Sequence, residues 1–143
     1  MEYWKITPFF FVSSQIKVTD IKALKDLGFT DIICNRPSNE SSTDEKPDLI
    51  RKVANQNGID FHDNPFPGNH LSIESISQQK AGGDKTLAYC TSGTRSAILW
   101  AFSMAGDINT ENILQCLSNA GFPMPHLAEQ IEAFALTSTD SEG

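Results

Sequence analysis

The spacing of hydrophobic and polar positions changes period repeatedly along this chain, and the changes mark its elements. Phe9 to Val12 is a run of β-forming residues and predicts a strand. Ile21, Leu24 and Leu27 recur at spacings of three, so they predict a helix that Thr19 can cap and Gly28 ends. Asp31 to Cys34 (DIIC) reads as a short buried strand. Leu49, Ile50 and Val53 form the apolar stripe of a second helix closed by Gly58, and Ile59 to His62 is the next strand. Ile73 to Gln79 predicts a short helix ended by Gly82-Gly83. Lys85 to Tyr89 (KTLAY) has the pattern of a central strand and runs directly into Cys90. From there the period is helical. Ser96 to Ala105 is nearly all apolar and so predicts a buried helix. Thr110 caps a helix over Glu111 to Asn119, and Pro125 opens a last one through Phe134.

Strands alternating with helices imply an α/β fold with a mainly parallel sheet, followed by an all-helical C-terminal third. The 143 residues suffice for one domain, expected over 1–136, with 137–143 (TSTDSEG) as a flexible tail. Ser38 to Pro47 (SNESSTDEKP) has the composition of a linker, and the acidic stretch from Glu40 to Asp48 reads as a solvated loop.

Charge and cysteine usage narrow the function classes. Eighteen acidic residues against 11 Lys and Arg give a formal charge of -7, which disfavours nucleic acid or an anionic membrane as partner. No apolar run approaches the ~20 residues of a membrane span, and the N-terminus lacks the pattern of a secretory signal. Cys34, Cys90 and Cys116 form no CxxC pair; three free thiols in a reducing cytoplasm are the expectation. His62, His70 and His126 have no ligand spacing, so no metal is expected, and without a glycine-rich dinucleotide fingerprint or GxxxxGK(S/T) no nucleotide cofactor is expected either.

One constellation carries chemistry. A strand, then Cys90-Thr91-Ser92-Gly93-Thr94-Arg95-Ser96, then a buried helix, fixes a short loop at both ends. The amides of Thr91, Ser92, Gly93 and Thr94 can turn inward as an anion nest, reinforced by the positive end of the helix dipole. Arg95 adds a planar fork for two oxygens of a tetrahedral anion. Cys90 is the expected nucleophile, acting as a thiolate, and Ser96 either donates to its sulfur or caps the helix. Cys34 and Cys116 read as structural.

These residues resemble the phosphatase-like domain of the beta-lactamase-hydrolase-like family. The resemblance is carried by YCTSGTRS followed by Leu99-Trp100, by Asn35-Arg36-Pro37 after a buried strand, by Asn119 to Phe122 (NAGF) and by Ser13 to Gln15 (SSQ). It implies a dual-specificity-phosphatase-like fold, with helices on both faces of the sheet and the cysteine loop at the C-terminal end of a central strand. Two chemistries are compatible with such a loop. Phosphatases form a phosphocysteine and have five residues between Cys and Arg; rhodanese-like sulfurtransferases form a persulfide and have four. Here there are four, Thr91 to Thr94. The stretch Asn64 to His70 (NPFPGNH) resembles the phosphatase general-acid loop, but Gly68 stands at the acid's position; Asp63 and His70 are the possible substitutes.

Together these features favour sulfur transfer from a small anionic donor such as thiosulfate to a thiol acceptor. The alternatives are hydrolysis of a phosphorylated substrate and a non-catalytic binding module. Arg36 is either a second anion contact at the rim or the clamp of an exposed turn, paired with Glu40 or a loop carbonyl.

Overall fold

The computed structural model describes residues 2–80 and 82–142 of the chain. Five strands, β1 (Tyr3–Thr7), β2 (Phe10–Ser13), β3 (Asp31–Cys34), β4 (Asp60–Asp63) and β5 (Thr86–Tyr89), form one sheet in the order β1-β2-β5-β3-β4. The β1–β2 pair is antiparallel, and the β2–β5, β3–β5 and β3–β4 pairs are parallel. The helices are α1 (Ile21–Asp26), α2 (Pro47–Gln56), α3 (Ile73–Gln78), α4 (Thr94–Ser103), α5 (Thr110–Asn119) and α6 (Ala128–Glu142).

Alternation along the strands sorts the core into two halves. Ile32 and Cys34 of β3 and Leu87 and Tyr89 of β5 point to one face, where they meet Ile21 and Leu24 of α1 and Ile50 and Ala54 of α2. Val12 of β2 and Ile6 of β1 point to the other, against Ile76 of α3, Leu99 and Phe102 of α4, Ile113 of α5 and Ile131 of α6. α4 has apolar residues around most of its circumference, because it lies between the sheet and the other helices; Ala97, Leu99, Trp100, Ala101 and Phe102 are all buried. Cys34 belongs to the first half, and burial pushes its thiol up to about 11, as suits a structural cysteine. Cys116 is half-buried against the second.

Several element boundaries differ from the sequence reading. β1 was not expected. Its Tyr3, Trp4 and Lys5 are exposed or half-exposed, so they lack a buried-strand signature, and its pairing with β2 is what makes it a strand. Thr19 lies in a 3-10 turn (Val18–Asp20) before α1, where Asp20 accepts from the Lys17 amide at 2.8 Å. Asn109, not Thr110, caps α5 by accepting from the Asn112 amide at 2.8 Å. A 3-10 turn (Pro125–Leu127) precedes α6, and α6 runs past Phe134 to Glu142, since no Gly or Pro interrupts it. Gly143 of the expected tail lies outside the described residues. Ser38 to Pro47 is folded as two 3-10 turns, Ser38–Glu40 and Thr43–Glu45, leading into α2.

Behind the C-terminal ends of β3 and β5 sits a buried amide network. Asn35 Nδ2 donates to the Asn64 carbonyl and to Gln79 Oε1, at 2.8 and 2.9 Å. Gln79 Nε2 donates back to Asn35 Oδ1 at 2.8 Å and to the Ser96 carbonyl at 3.3 Å, and Asn64 Nδ2 donates to Gln79 Oε1 at 3.0 Å. The turn after β3, the loop after β4 and the first turn of α4 are thereby fixed to one another. Gln79→Ala would leave Asn35 Oδ1 buried without its donor. We expect a loss of about 2–4 kcal/mol in urea unfolding.

Candidate active site

β5 continues for one residue beyond its last β3 partner, with the Cys90 amide donating to the Ser13 carbonyl at 3.3 Å. The chain then turns at Gly93, at φ +93°, and enters α4. The Gly93 amide donates to Cys90 Sγ at 3.1 Å. The first helical bond of α4 runs from Ala97 to the Gly93 carbonyl, so the amides of Thr94, Arg95 and Ser96 precede any intrahelical partner. They form the positive end of a buried ten-residue helix directly after the cysteine. Along Cys90 to Ser96, Gly93 and Ser96 are buried and Thr91, Ser92 and Thr94 are exposed.

A glycine is needed at position 93 for more than its backbone angle. A Cβ there would lie 3.2 Å from both Phe122 Cζ and Trp4 Cζ3, so these rings close the back of the loop. They pack edge-to-face, with centroids 5.4 Å apart. Trp4 comes from the unexpected strand and Phe122 from the NAGF segment. Cys90 itself has no exposed surface. The Ser96 hydroxyl is buried without a hydrogen-bond partner, so the expected bond from Ser96 to the sulfur is not made in this state.

Arg95 is held on several sides. Its Nη1 donates to Glu40 Oε2 and to the Phe66 carbonyl, both at 3.1 Å. Its Nη2 donates to Glu40 Oε1 at 2.8 Å and to Thr91 Oγ1 at 3.0 Å. The bond to Glu40 raises the Arg95 guanidinium further above its already high ordinary value. Arg95 in turn holds the Glu40 carboxyl below the usual glutamate range. Glu40 lies in the stretch whose composition suggested only a solvated loop. The signal available in the sequence was its place three residues after Pro37, in a turn that already carries Arg36.

Arg36 serves that turn. Its Nη1 donates to Gln15 Oε1 at 2.8 Å and to Glu45 Oε2 at 3.2 Å, and its Nη2 donates to the Glu40 carbonyl at 2.5 Å. Of its two expected roles, the structure shows the clamp.

The segment resembling an acid loop lies beside the cradle. A Cβ on Gly68 would sit 3.5 Å from Arg95 Cδ, so position 68 faces the arginine stem without a side chain. His70 is exposed and lines a groove of about 220 Å³ with Gly68, Ile98, Phe102 and Gln130. Asp63 is exposed at the end of β4; partial desolvation by its surroundings raises its carboxyl above the usual range, and its charged neighbours are Arg51 and Asp48 of α2 rather than Arg95. His62 is bound elsewhere, its Nε2 2.8 Å from Asp31 Oδ2. Among the described residues, no cluster of three metal-ligating side chains occurs, and no helix is long and apolar enough to cross a membrane.

A parallel-rich sheet, a cysteine loop at the C-terminal end of its central strand, and an arginine at the start of the following helix define an α/β domain of the tyrosine and dual-specificity phosphatase type. The chain belongs to the phosphatase-like domain family of the beta-lactamase hydrolase-like proteins, whose model matches residues 2–107. The NAGF segment lies outside that match.

Among solved structures, it is similar to a provisionally assigned phosphatase of Neisseria meningitidis, at 25% identity and TM-score 0.77, over 92% of this chain and 96% of that one. It also resembles PTPMT1 in complex with PI(5)P, at 11% identity and TM-score 0.75, over 99% of each chain. A third is kinase associated phosphatase carrying serine in place of its catalytic site cysteine, at 19% identity and TM-score 0.67, over 92% and 91%. No curated protein sequence matches.

Proposed function

We propose that the chain is a cysteine-dependent phosphomonoesterase with Cys90 as its nucleophile. The observation that carries this reading is the convergence of Cys90 Sγ, the Gly93 amide, the open end of α4 and the Arg95 guanidinium on one loop. The provisional phosphatase name of the Neisseria relative and the family's description support it. The order of the two enzyme readings is therefore reversed from the one the loop length favoured.

In this mechanism the Cys90 sulfur, as thiolate, attacks phosphorus while the amides and Arg95 hold the nonbridging oxygens. The S–P bond forms as the ester P–O bond breaks, and the departing oxygen takes up a proton. Water then attacks the phosphocysteine, releasing inorganic phosphate and restoring the thiolate. A free thiol nucleophile suits a reducing compartment, and we place the protein in the cytoplasm.

The proton has no obvious carboxylic source. Gly68 has no side chain, Asp63 has its charged neighbours on α2 rather than at Arg95, and the bond from Arg95 holds the Glu40 carboxyl below the usual range. A general acid is typically worth about 10²–10⁴-fold, and more for poorer leaving groups. We therefore expect turnover to fall steeply from nitrophenyl to phenyl to alkyl phosphates. Equal rates across that series would show that a proton donor, with His70 as the first to test, is in place after all.

Persulfide transfer is the second reading, favoured by the four residues between Cys90 and Arg95. The short loop closes on the sulfur and leaves it without exposed surface. A persulfide adds one atom to that sulfur, whereas a phosphoryl group brings three oxygens. Thiosulfate would supply the outer sulfur and leave as sulfite, and a thiol or cyanide would accept it.

A further inference from the structure

We propose that Glu40 is a positioning residue for Arg95, supported through Arg36 by Gln15, and that the Thr91 hydroxyl holds the place an anion takes. The inference rests on reading the Cys90–Arg95 loop as an anion site. A guanidinium has five N–H groups. Four are engaged here: two with the Glu40 carboxylate, one with the Phe66 carbonyl and one with Thr91 Oγ1. Glu40 takes the end of the fork, one oxygen on each Nη. An anion bound side-on needs Nε–H and the second Nη2 hydrogen, and that hydrogen is on Thr91.

Either Glu40 or Thr91 has to yield when an anion enters, and the two differ in how firmly they are held. Pro37 opens the Glu40 turn with its fixed φ of -60°. Arg36 grips the Glu40 carbonyl at 2.5 Å and is itself braced by Gln15 and Glu45. Lys46 Nζ adds a bond to the Ser38 carbonyl at 2.6 Å. Thr91 is exposed, and its hydroxyl leaves Nη2 by rotation of one side-chain bond, with no backbone movement. Thr91 is therefore the group that yields. Glu40 stays, fixing the plane of the guanidinium so that its side edge is already aimed when the anion arrives. This role joins the SSQ, NRP and cysteine-loop segments in one line: Gln15, Arg36, Glu40, Arg95.

The opposite arrangement, with Glu40 as an internal competitor that must swing away, predicts effects of opposite sign. Inorganic phosphate and thiosulfate are titrated calorimetrically into the full chain and its Glu40→Gln, Thr91→Val and Arg95→Lys variants. Folding is checked by thermal melting. Glu40→Gln is expected to weaken anion binding about tenfold, because a charge-assisted end-on pair is lost. Thr91→Val keeps the loop amide and removes only the hydroxyl on Nη2, so it is expected to bind more tightly than wild type; weaker binding would overturn the placeholder role. In an Arg95→Lys background, the Glu40→Gln effect should vanish.

Tighter binding by Glu40→Gln would overturn the proposal in favour of competition. Unchanged affinity with an altered melt would reduce Glu40 to a structural role. If Arg95→Lys loses affinity while Glu40→Gln does not, the anion site survives and this inference fails. If wild type binds neither anion, both fail. Should Glu40→Gln not fold, Gln15→Met removes a brace from Arg36 without touching the pair, and a loss of about threefold is expected; no loss would overturn the relay.

Discussion

Cys90→Ser is expected to reduce hydrolysis of an aryl phosphate by at least about 10⁴-fold, since the serine hydroxyl has neither the acidity nor the nucleophilicity of the thiol. The substitution trades sulfur for a smaller oxygen at a site with no exposed surface, so the fold should survive and the melting temperature should stay close to wild type. Stopped assays of released phenol measure the loss. Intact-mass spectrometry on the same two proteins, after incubation with thiosulfate, separates the two chemistries. A gain of one sulfur, about 32 Da, in wild type alone and reversed by cyanide would establish persulfide formation on Cys90. Phenol release that depends on Cys90, without a sulfur adduct, would establish phosphoryl transfer and show that four intervening residues suffice. Phenol release unaffected by the serine would remove Cys90 from the mechanism.

Gly93→Ala is expected to harm both fold and site. The residue sits at φ +93°, where an L side chain costs roughly 1–2 kcal/mol. The new methyl would also press on Phe122 and Trp4 at 3.2 Å, adding about 1–3 kcal/mol of overpacking. Together we expect a stability loss of about 2–5 kcal/mol in urea unfolding. Any shift of the turn also moves the amide that bonds Cys90 Sγ at 3.1 Å, and one such donor is worth about 10²–10³ in turnover. Phe122→Ala removes one of the two crowding rings and leaves Trp4 and the backbone strain, so Gly93→Ala should cost less in a Phe122→Ala background than in wild type. A fully stable Gly93→Ala protein would mean that the loop accommodates a different turn.

The cradle was legible because all of its parts are contiguous. Cys90 to Ser96 places the thiol, the amides and the fork of the proposed site in one stretch, and the strand before and helix after can be read from hydrophobic runs. Three of the five strands, β2, β3 and β5, were legible as runs of β-forming or buried residues, and β4 from its place between Gly58 and the next loop. β1 was not, because an edge strand shows its nature only in its pairing. The partner of Arg95 that the sequence reading missed, Glu40, lies 55 positions away, in a stretch whose composition matches any acidic loop. No local pattern reports an ion pair across that separation. What the sequence did offer was Arg36, whose structural reading already had Glu40 as a partner; the step from that partner to Arg95 required the fold.

The outer strand β4 has a consequence of a different kind. It borders the sheet with Asp-Phe-His-Asp, exposed at both aspartates and half-covered at the two residues between. An uncovered strand edge is a template on which a second chain can dock by its backbone, and proteins commonly blunt such edges with charge. Here a second copy docking antiparallel at this edge would bring its own aspartates against Asp60 and Asp63 across a few ångströms. Like charges would thus oppose pairing of two copies on the flank that lies farthest from the β1–β2 hairpin.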